Sequence, residues 1–109
     1  MNFNEYQVKA RSTAIYPNIG ENIIYPTLGL CGESGEVAEK VKKIIRDDGG
    51  KVSKEKKELL KKELGDCCWY IANLATELGL TLDEIVELNI IKLRDRQNRN
   101  VIKGSGDER

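Results

Sequence analysis

The distribution of apolar residues along the chain is helical. Leucine, isoleucine and valine recur at spacings of three and four residues, whereas strict alternation of apolar and polar residues is scarce. The first pattern gives a helix one apolar face, and the second is typical of half-buried strands. We therefore predict an all-α fold.

Start and stop residues divide this pattern into four segments. Pro17 ends the first, Gly49 the second and Gly79 the third. Ser53 is placed to cap the third helix, and Thr81 begins a capping box for the fourth. The predicted helices span roughly residues 4–16, 26–47, 53–79 and 81–98.

The length of 109 residues corresponds to a single domain, which we assign to residues 1–109. Four helices of this size indicate a four-helix-bundle-like domain with a thin core. A thin core favours association of subunits, so we expect a homodimer or a homotetramer.

Three glycines lie at three-residue intervals in the predicted second helix: Gly29, Gly32 and Gly35. Each weakens a helix by about 1 kcal/mol relative to alanine. We expect the close approach of a neighbouring helix or a ligand to compensate for them.

Charge and composition exclude several classes of function. Lysine plus arginine and aspartate plus glutamate number 18 each, so neither a nucleic acid polymer nor an anionic membrane is an expected partner. No segment approaches the roughly 20 apolar residues of a membrane span, and no signal peptide is evident, which predicts a cytoplasmic protein. The absence of histidine removes the usual general base and transition-metal ligand.

The three cysteines, Cys31, Cys67 and Cys68, are an odd number without metal-ligand spacing. We predict that they are small buried hydrophobic residues in a reducing cytoplasm.

Two acidic pairs carry the strongest chemical signal. Glu33 and Glu36 are three residues apart on the second helix, and Glu63 and Asp66 repeat that spacing on the third. Such pairs project from one helix face, so the four carboxylates can meet between antiparallel helices. A bare cluster would repel itself, and a divalent cation resolves the conflict. Oxygen ligands favour Mg²⁺, with Mn²⁺ as a substitute.

Either acidic pair alone is more typical of an exposed face in a lysine-rich bundle. The two pairs together, with Gly65 interrupting an otherwise leucine-rich helix, favour a metal site.

Two segments surround the acidic pairs: Leu28-Gly-Leu-Cys-Gly-Glu33-Ser-Gly-Glu36 and Lys62-Glu63-Leu-Gly-Asp66. They resemble the MazG-like nucleotide pyrophosphohydrolases, whose signature is E-x-x-E, a spacer, then E-x-x-D. The resemblance extends from the Asn4-Glu-Tyr-Gln7 opening to the Gly104-Ser-Gly-Asp107 tail. It implies an α-helical fold, magnesium dependence, assembly into dimers or dimers of dimers, and hydrolysis of a nucleoside triphosphate to the monophosphate and pyrophosphate.

The resemblance also implies roles for individual residues. The metal ligands are Glu33, Glu36, Glu63 and Asp66, and the polar positions that commonly hold phosphates are Asn89, Lys92 and Arg96. As a separate hypothesis, we expect a catalytic carboxylate, Glu36 or the nearby Glu39, to accept the proton of the attacking water; helical spacing does not choose between the two. For Lys92 and Arg96, solvated ends of a C-terminal turn are an equal alternative.

Helical spacing adds Tyr70 and Asn73 as substrate-binding residues, because they lie one and two turns beyond Asp66. Core packing is the alternative for Tyr70. Trp69, about 100° around the helix from Tyr70, is predicted to lie in the core or in a subunit interface.

The predicted function is therefore hydrolysis of ribo- or deoxynucleoside triphosphates, as sanitation of the nucleotide pool. Phosphoribosyl-ATP pyrophosphohydrolase, a related enzyme, is the second enzymatic interpretation. A non-catalytic helical interaction module is the alternative from another class. The sequence does not fix the preferred base.

Overall fold

A computed structural model describes all 109 residues. It contains four helices and no strand: α1 (Phe3–Ser12), α2 (Ile24–Asp48), α3 (Lys54–Glu77) and α4 (Leu82–Asn98). The predicted all-α class is confirmed. No helix combines the length and the apolar composition that a bilayer crossing requires.

The starts of α3 and α4 follow local capping rules. The Ser53 hydroxyl accepts a hydrogen bond from the Lys56 N–H at 3.1 Å. Thr81 and Glu84 form a reciprocal capping box, in which the two hydrogen bonds are 3.1 and 2.8 Å long. Since these bonds satisfy N–H groups that have no partner within the helix, both helices begin where the sequence predicts.

The predicted first helix is wrong at its end, because α1 stops at Ser12 and not near residue 16. The Thr13 hydroxyl donates to the Ala10 carbonyl at 2.7 Å, and the Ser12 hydroxyl donates to the Lys9 carbonyl at 2.6 Å. Such side-chain bonds occupy the carbonyls that the next helical turn requires. Residues 13–23 therefore form a connector to α2.

The helix α2 begins two residues earlier than predicted, at Ile24. The side-chain oxygen of Asn22 accepts from the N–H groups of Ile24 and Tyr25 at 3.1 and 3.0 Å, and it thereby caps the helix. Pro26 falls in the first turn, where its missing N–H costs nothing.

The core lies where α1 crosses α3 and meets the start of α4. Its buried apolar residues are Ala10, Ala72, Ala75 and Leu82. Gln7 is buried beside them, and its amide donates to the Leu80 carbonyl at 2.9 Å while its oxygen accepts from the Leu82 N–H at 2.8 Å. Gln7 thus attaches α1 to the turn between α3 and α4.

The single chain is open. Only 10 of its 109 residues are buried, and its radius of gyration is 16.7 Å, compared with about 13 Å for a compact chain of this length. The helix α2 packs along α3, whereas α4 packs chiefly on α1. Large apolar side chains stay exposed on all four helices, among them Phe3, Val8, Ile24, Leu28, Ile45, Leu64, Ile71, Leu88 and Ile91.

The predicted burial of the cysteines is wrong. Cys31 and Cys68 are exposed and Cys67 is half-buried, because the small core does not extend to these positions on α2 and α3. All three are free thiols.

Candidate active site

The hairpin of α2 and α3 brings three of the four predicted metal ligands together. Carboxylate oxygens of Glu33, Glu63 and Asp66 all lie within 4.8 Å of one another. Glu33 and Glu63 are half-buried, and Asp66 is exposed. Several oxygens converging from two helices are a suitable donor set for one hard divalent cation. We call these three residues the acidic cluster.

Glu36, the fourth predicted ligand, lies outside the acidic cluster. The ammonium of Lys40 is 2.9 Å from a Glu63 oxygen and 3.9 Å from a Glu36 oxygen. Lys40 therefore stands between Glu36 and the acidic cluster, one turn beyond Glu36 on α2.

Opposing effects act on the carboxylates of the acidic cluster. The adjacent Glu63 carboxylate raises the pKa of Glu33, and Asp66 adds to this effect. The Lys40 ammonium lowers the pKa of Glu63. One ammonium does not neutralise four neighbouring carboxylates, so the site favours an additional cation.

The Tyr70 ring packs against α2 at Gly29. A Cβ atom built on Gly29 would overlap the Tyr70 ring, whereas a Cβ built on Gly32 or Gly35 would have no atom within 4 Å beyond its adjacent residues and the nearby backbone of α2. The predicted close approach is therefore confirmed at Gly29 alone. Tyr25 continues the aromatic surface, its ring centre 6.4 Å from that of Tyr70.

A cleft of about 380 Å³ adjoins the acidic cluster, lined by Thr13, Glu33, Asp66, Trp69 and Tyr70. The Trp69 ring meets Tyr70 edge-on at 5.0 Å, and its N–H donates to the Thr13 hydroxyl at 2.7 Å. The volume of the cleft lies within the usual range for a small-molecule site. Two larger cavities, of about 500 and 530 Å³, do not bring carboxylates together.

Tyr70, Trp69 and Asn73 differ in how far their side chains are buried. Tyr70 lines the cleft. Trp69 packs against the core, as expected, and also lines the cleft. Asn73 is fully buried: its side-chain oxygen accepts from Arg11 at 3.2 Å, and its NH₂ donates to the Trp69 carbonyl at 3.1 Å. Asn73 therefore supports the cleft wall from behind.

Sequence reasoning missed Glu77, which fixes the connector behind the cleft. Its fully buried carboxylate accepts hydrogen bonds from the Arg11 guanidinium at 2.6 Å, the Tyr16 hydroxyl at 2.9 Å, and the N–H groups of Gly20 and Asn22 at 2.9 and 2.5 Å. Burial alone raises the pKa of Glu77, but these donors outweigh it and lower the pKa to about 2. Its partners are more than 50 residues away in sequence, so no local signal identifies it.

Thr13, Trp69 and Lys40 are further residues at the site that spacing alone did not select. Lys40 carried a detectable signal, because it follows Glu36 by four residues and therefore shares its helix face. Thr13 carried none, because it reaches the cleft only through the packing of α1 on α3.

The remaining predicted site residues lie elsewhere in the single chain. Glu39 pairs with Lys42 at 2.9 Å and with Lys43 at 3.7 Å, apart from the acidic cluster. Asn89 is exposed on α4.

Lys92 and Arg96 bind the C-terminal tail. Both contact a carboxylate oxygen of Asp107 at 3.2 Å, and Arg96 also donates to the Asp107 carbonyl at 3.0 Å. The Arg96 side chain is 7% exposed, whereas that of Asp107 is 79% exposed. An exposed carboxylate thus occupies the two cations that were predicted to bind phosphate.

Comparison with known proteins gives this arrangement a context. The model of the MazG nucleotide pyrophosphohydrolase domain matches residues 26–101, which include the acidic cluster, Trp69, Tyr70 and α4. The chain belongs to the MazG nucleotide pyrophosphohydrolase family. Gene 37 protein of Mycobacterium phage L5 is 46% identical to it over 114 residues, across the full length of both chains. No solved structure matches. As a MazG domain, the chain is a hydrolase of the nucleotide pyrophosphohydrolase type.

Proposed function

We propose that this protein hydrolyses ribo- or deoxynucleoside triphosphates to the monophosphate and pyrophosphate, with Mg²⁺ or Mn²⁺ as cofactor, in sanitation of the cytoplasmic nucleotide pool. One observation carries the proposal. Three carboxylates within 4.8 Å of one another border an aromatic cleft in a chain of the MazG family.

The donor set fits a hard divalent cation. Glu33, Glu63 and Asp66 offer only oxygen ligands, and the chain contains no histidine. Lys40 is the one ammonium beside these three carboxylates, so the acidic cluster keeps an excess of negative charge. A bound magnesium ion would neutralise charge on the triphosphate and lower the pKa of an attacking water.

Side chains of the chain itself would accept the proton of the water and contact the base or the sugar. The Glu36 side chain is 57% exposed, and the Lys40 ammonium that contacts it also contacts Glu63 of the acidic cluster. Glu36 is therefore better placed than Glu39 to accept the proton of that water. Glu39 is held by two lysines elsewhere on α2. Tyr70 and Trp69 offer apolar faces to the base or the sugar.

The site is completed by a second copy of the chain in this proposal. Lys92 and Arg96 on α4 do not reach the acidic cluster of their own chain, and Asp107 holds both. The open shape and the exposed apolar residues support a homodimer, or a homotetramer built from it. In that assembly, α4 of one copy would supply phosphate-binding cations to the acidic cluster of another.

The test is release of pyrophosphate from a panel of ordinary and modified nucleoside triphosphates, with Mg²⁺, with Mn²⁺ and with chelator. We expect metal-dependent release and a monophosphate product. Glu63→Ala and Asp66→Ala should abolish turnover, whereas Glu58→Ala should not, because Glu58 is an exposed acid of α3 paired with Lys61.

Helical content by circular dichroism should be the same in all variants. Full activity in both cluster variants would contradict the assigned site. Silence of the folded wild-type protein across the panel would contradict the proposed reaction, and phosphoribosyl-ATP would then be the next substrate to measure.

A further inference from the structure

Lys40 makes a contact that the other lysines of α2 do not make. Its ammonium lies 2.9 Å from Glu63 on α3 and 3.9 Å from Glu36 on its own helix. Lys42 and Lys43, by contrast, pair with Glu39 on α2 itself. The side chain of Lys40 is 26% exposed, so the contact is partly shielded from solvent.

The shorter contact is the one between helices. A Glu–Lys pair four residues apart on one helix is common and stabilises the helix only weakly. That interpretation explains the longer contact to Glu36 but not the closer one to Glu63. The ammonium is therefore directed into the acidic cluster, beside a carboxylate assigned to the metal.

Lys40 is also the cation that the single chain places beside these acids. Lys92 and Arg96 are bound to Asp107 on α4. A lysine has three donors on a flexible four-carbon stem, so its ammonium reaches new oxygens at a small cost when a neighbouring carboxylate is taken by another cation. The oxygens of a triphosphate bound beside the acidic cluster are the available acceptors.

We propose that Lys40 is a catalytic residue, whose ammonium contacts Glu36 and Glu63 and would bind the triphosphate when a divalent cation takes Glu63 as a ligand. The inference rests on the proposed hydrolysis and assigns the Lys40 ammonium a role in binding the triphosphate. It makes two predictions of opposite sign. Lys40 opposes binding of the divalent cation, because both are positive, yet it accelerates turnover, because it stabilises negative charge on the phosphates.

The experiment compares wild type with Lys40→Gln by titration with Mn²⁺ alone, followed by electron paramagnetic resonance, without nucleotide. We expect Mn²⁺ to bind about tenfold more tightly to the variant, since the repulsion of a nearby ammonium is removed. At saturating metal, kcat for pyrophosphate release should fall by roughly tenfold or more. Lys40→Arg should keep the metal affinity of wild type and recover part of kcat.

The matched control is Lys61→Gln, which removes one exposed lysine of α3 that pairs with Glu58. It should change neither quantity. A structural bridge between helices predicts weaker Mn²⁺ binding by Lys40→Gln, because Glu63 would lose its orientation. Unchanged or weaker Mn²⁺ binding, or an unchanged kcat, overturns the catalytic role of Lys40. Failure of wild type to bind Mn²⁺ or to release pyrophosphate overturns the proposed hydrolysis itself, and the role of Lys40 with it.

Discussion

At the residue scale, the position of Tyr70 depends on a missing side chain. Its ring occupies the space into which a Cβ of Gly29 would project, and this places the ring at the edge of the cleft beside Glu33 and Asp66. Glycine destabilises the helix relative to alanine, but only glycine at this position leaves room for the Tyr70 ring.

Gly29→Ala should therefore raise the KM for the nucleotide by roughly tenfold or more, because the Tyr70 ring must leave its position. Helix propensity gains about 1 kcal/mol, so the fold should survive. Gly32→Ala is the control, since its added Cβ has no atom within 4 Å beyond its adjacent residues and the nearby backbone of α2. It should stabilise the protein by up to about 1 kcal/mol without changing KM. Equal KM values for the two variants in the pyrophosphate assay would contradict a role for Tyr70 in the cleft.

The residues of the acidic cluster could be predicted because two local rules suffice for them. Spacing of three residues puts each pair on one helix face, and a short turn makes the two helices neighbours. The same rules do not show how deeply a side chain is buried, and Asn73, which was predicted to bind substrate, is fully buried and does not line the cleft. They also do not show that Lys40 reaches between Glu36 and Glu63.

At the scale of elements, Glu77 attaches the end of α3 to the connector that carries Tyr16. The start of α2 depends on it as well, because Glu77 accepts from the Asn22 N–H while the Asn22 side chain caps α2. The starts of α3 and α4 were predictable from caps within four residues. The end of α1 and the course of the connector were not, because contacts across more than 50 residues determine them.

The buried carboxylate makes stability depend on pH. Glu77 has its pKa lowered to about 2 in the folded state, whereas an unfolded glutamate titrates near about 4.3. Its contribution is therefore fully present above the unfolded value and is lost as the pH falls from about 5 towards 2. Urea unfolding at constant protein concentration, followed by circular dichroism across this range, measures the effect.

Glu77→Gln should unfold with a free energy lower by roughly 2–3 kcal/mol at pH 7, because an amide N–H would face donors that now bind a carboxylate. The difference in the free energy of unfolding between wild type and variant should decrease as the pH falls from about 5 towards 2. Parallel pH profiles would show that Glu77 is not ionised in the folded protein. Glu58→Gln, an exposed carboxylate on the same helix, should follow the wild-type profile.

At the scale of the whole molecule, the chain exposes 8051 Å² of surface, compared with about 6,100 Å² for a compact monomer of 12.3 kDa. Its helices pack in pairs, α2 on α3 and α1 on α3 and α4, and they do not enclose one common core. The predicted thin core is therefore observed as an open one. Subunit association, which stays a prediction, would cover the exposed faces and explain why α4 extends away from α2.

An assembly in which α4 completes the site of another copy predicts complementation. Glu63→Gln disables the acidic cluster of its own chain, and Lys92→Glu disables the cation that its own α4 would offer to a partner. Each variant alone should be nearly inactive. After the two are unfolded together and refolded as a mixture, random pairing gives heterodimers in about half of the assemblies, each with one intact site out of two. Activity should then recover to about a quarter of that of wild type, at a mass near two chains or a multiple of it by light scattering.

Recovery distinguishes a shared site from mere association. If acids and cations of one chain act together, the mixture holds no intact site, and its activity should equal the mean of the separate variants. A control mixture of Glu63→Gln with Asp66→Asn places both lesions in the acidic cluster and should not recover under either arrangement. A monomeric mass for wild type at micromolar concentration would exclude the shared site outright. The cations of α4 would then have to reach the cluster within one chain, after release of Asp107.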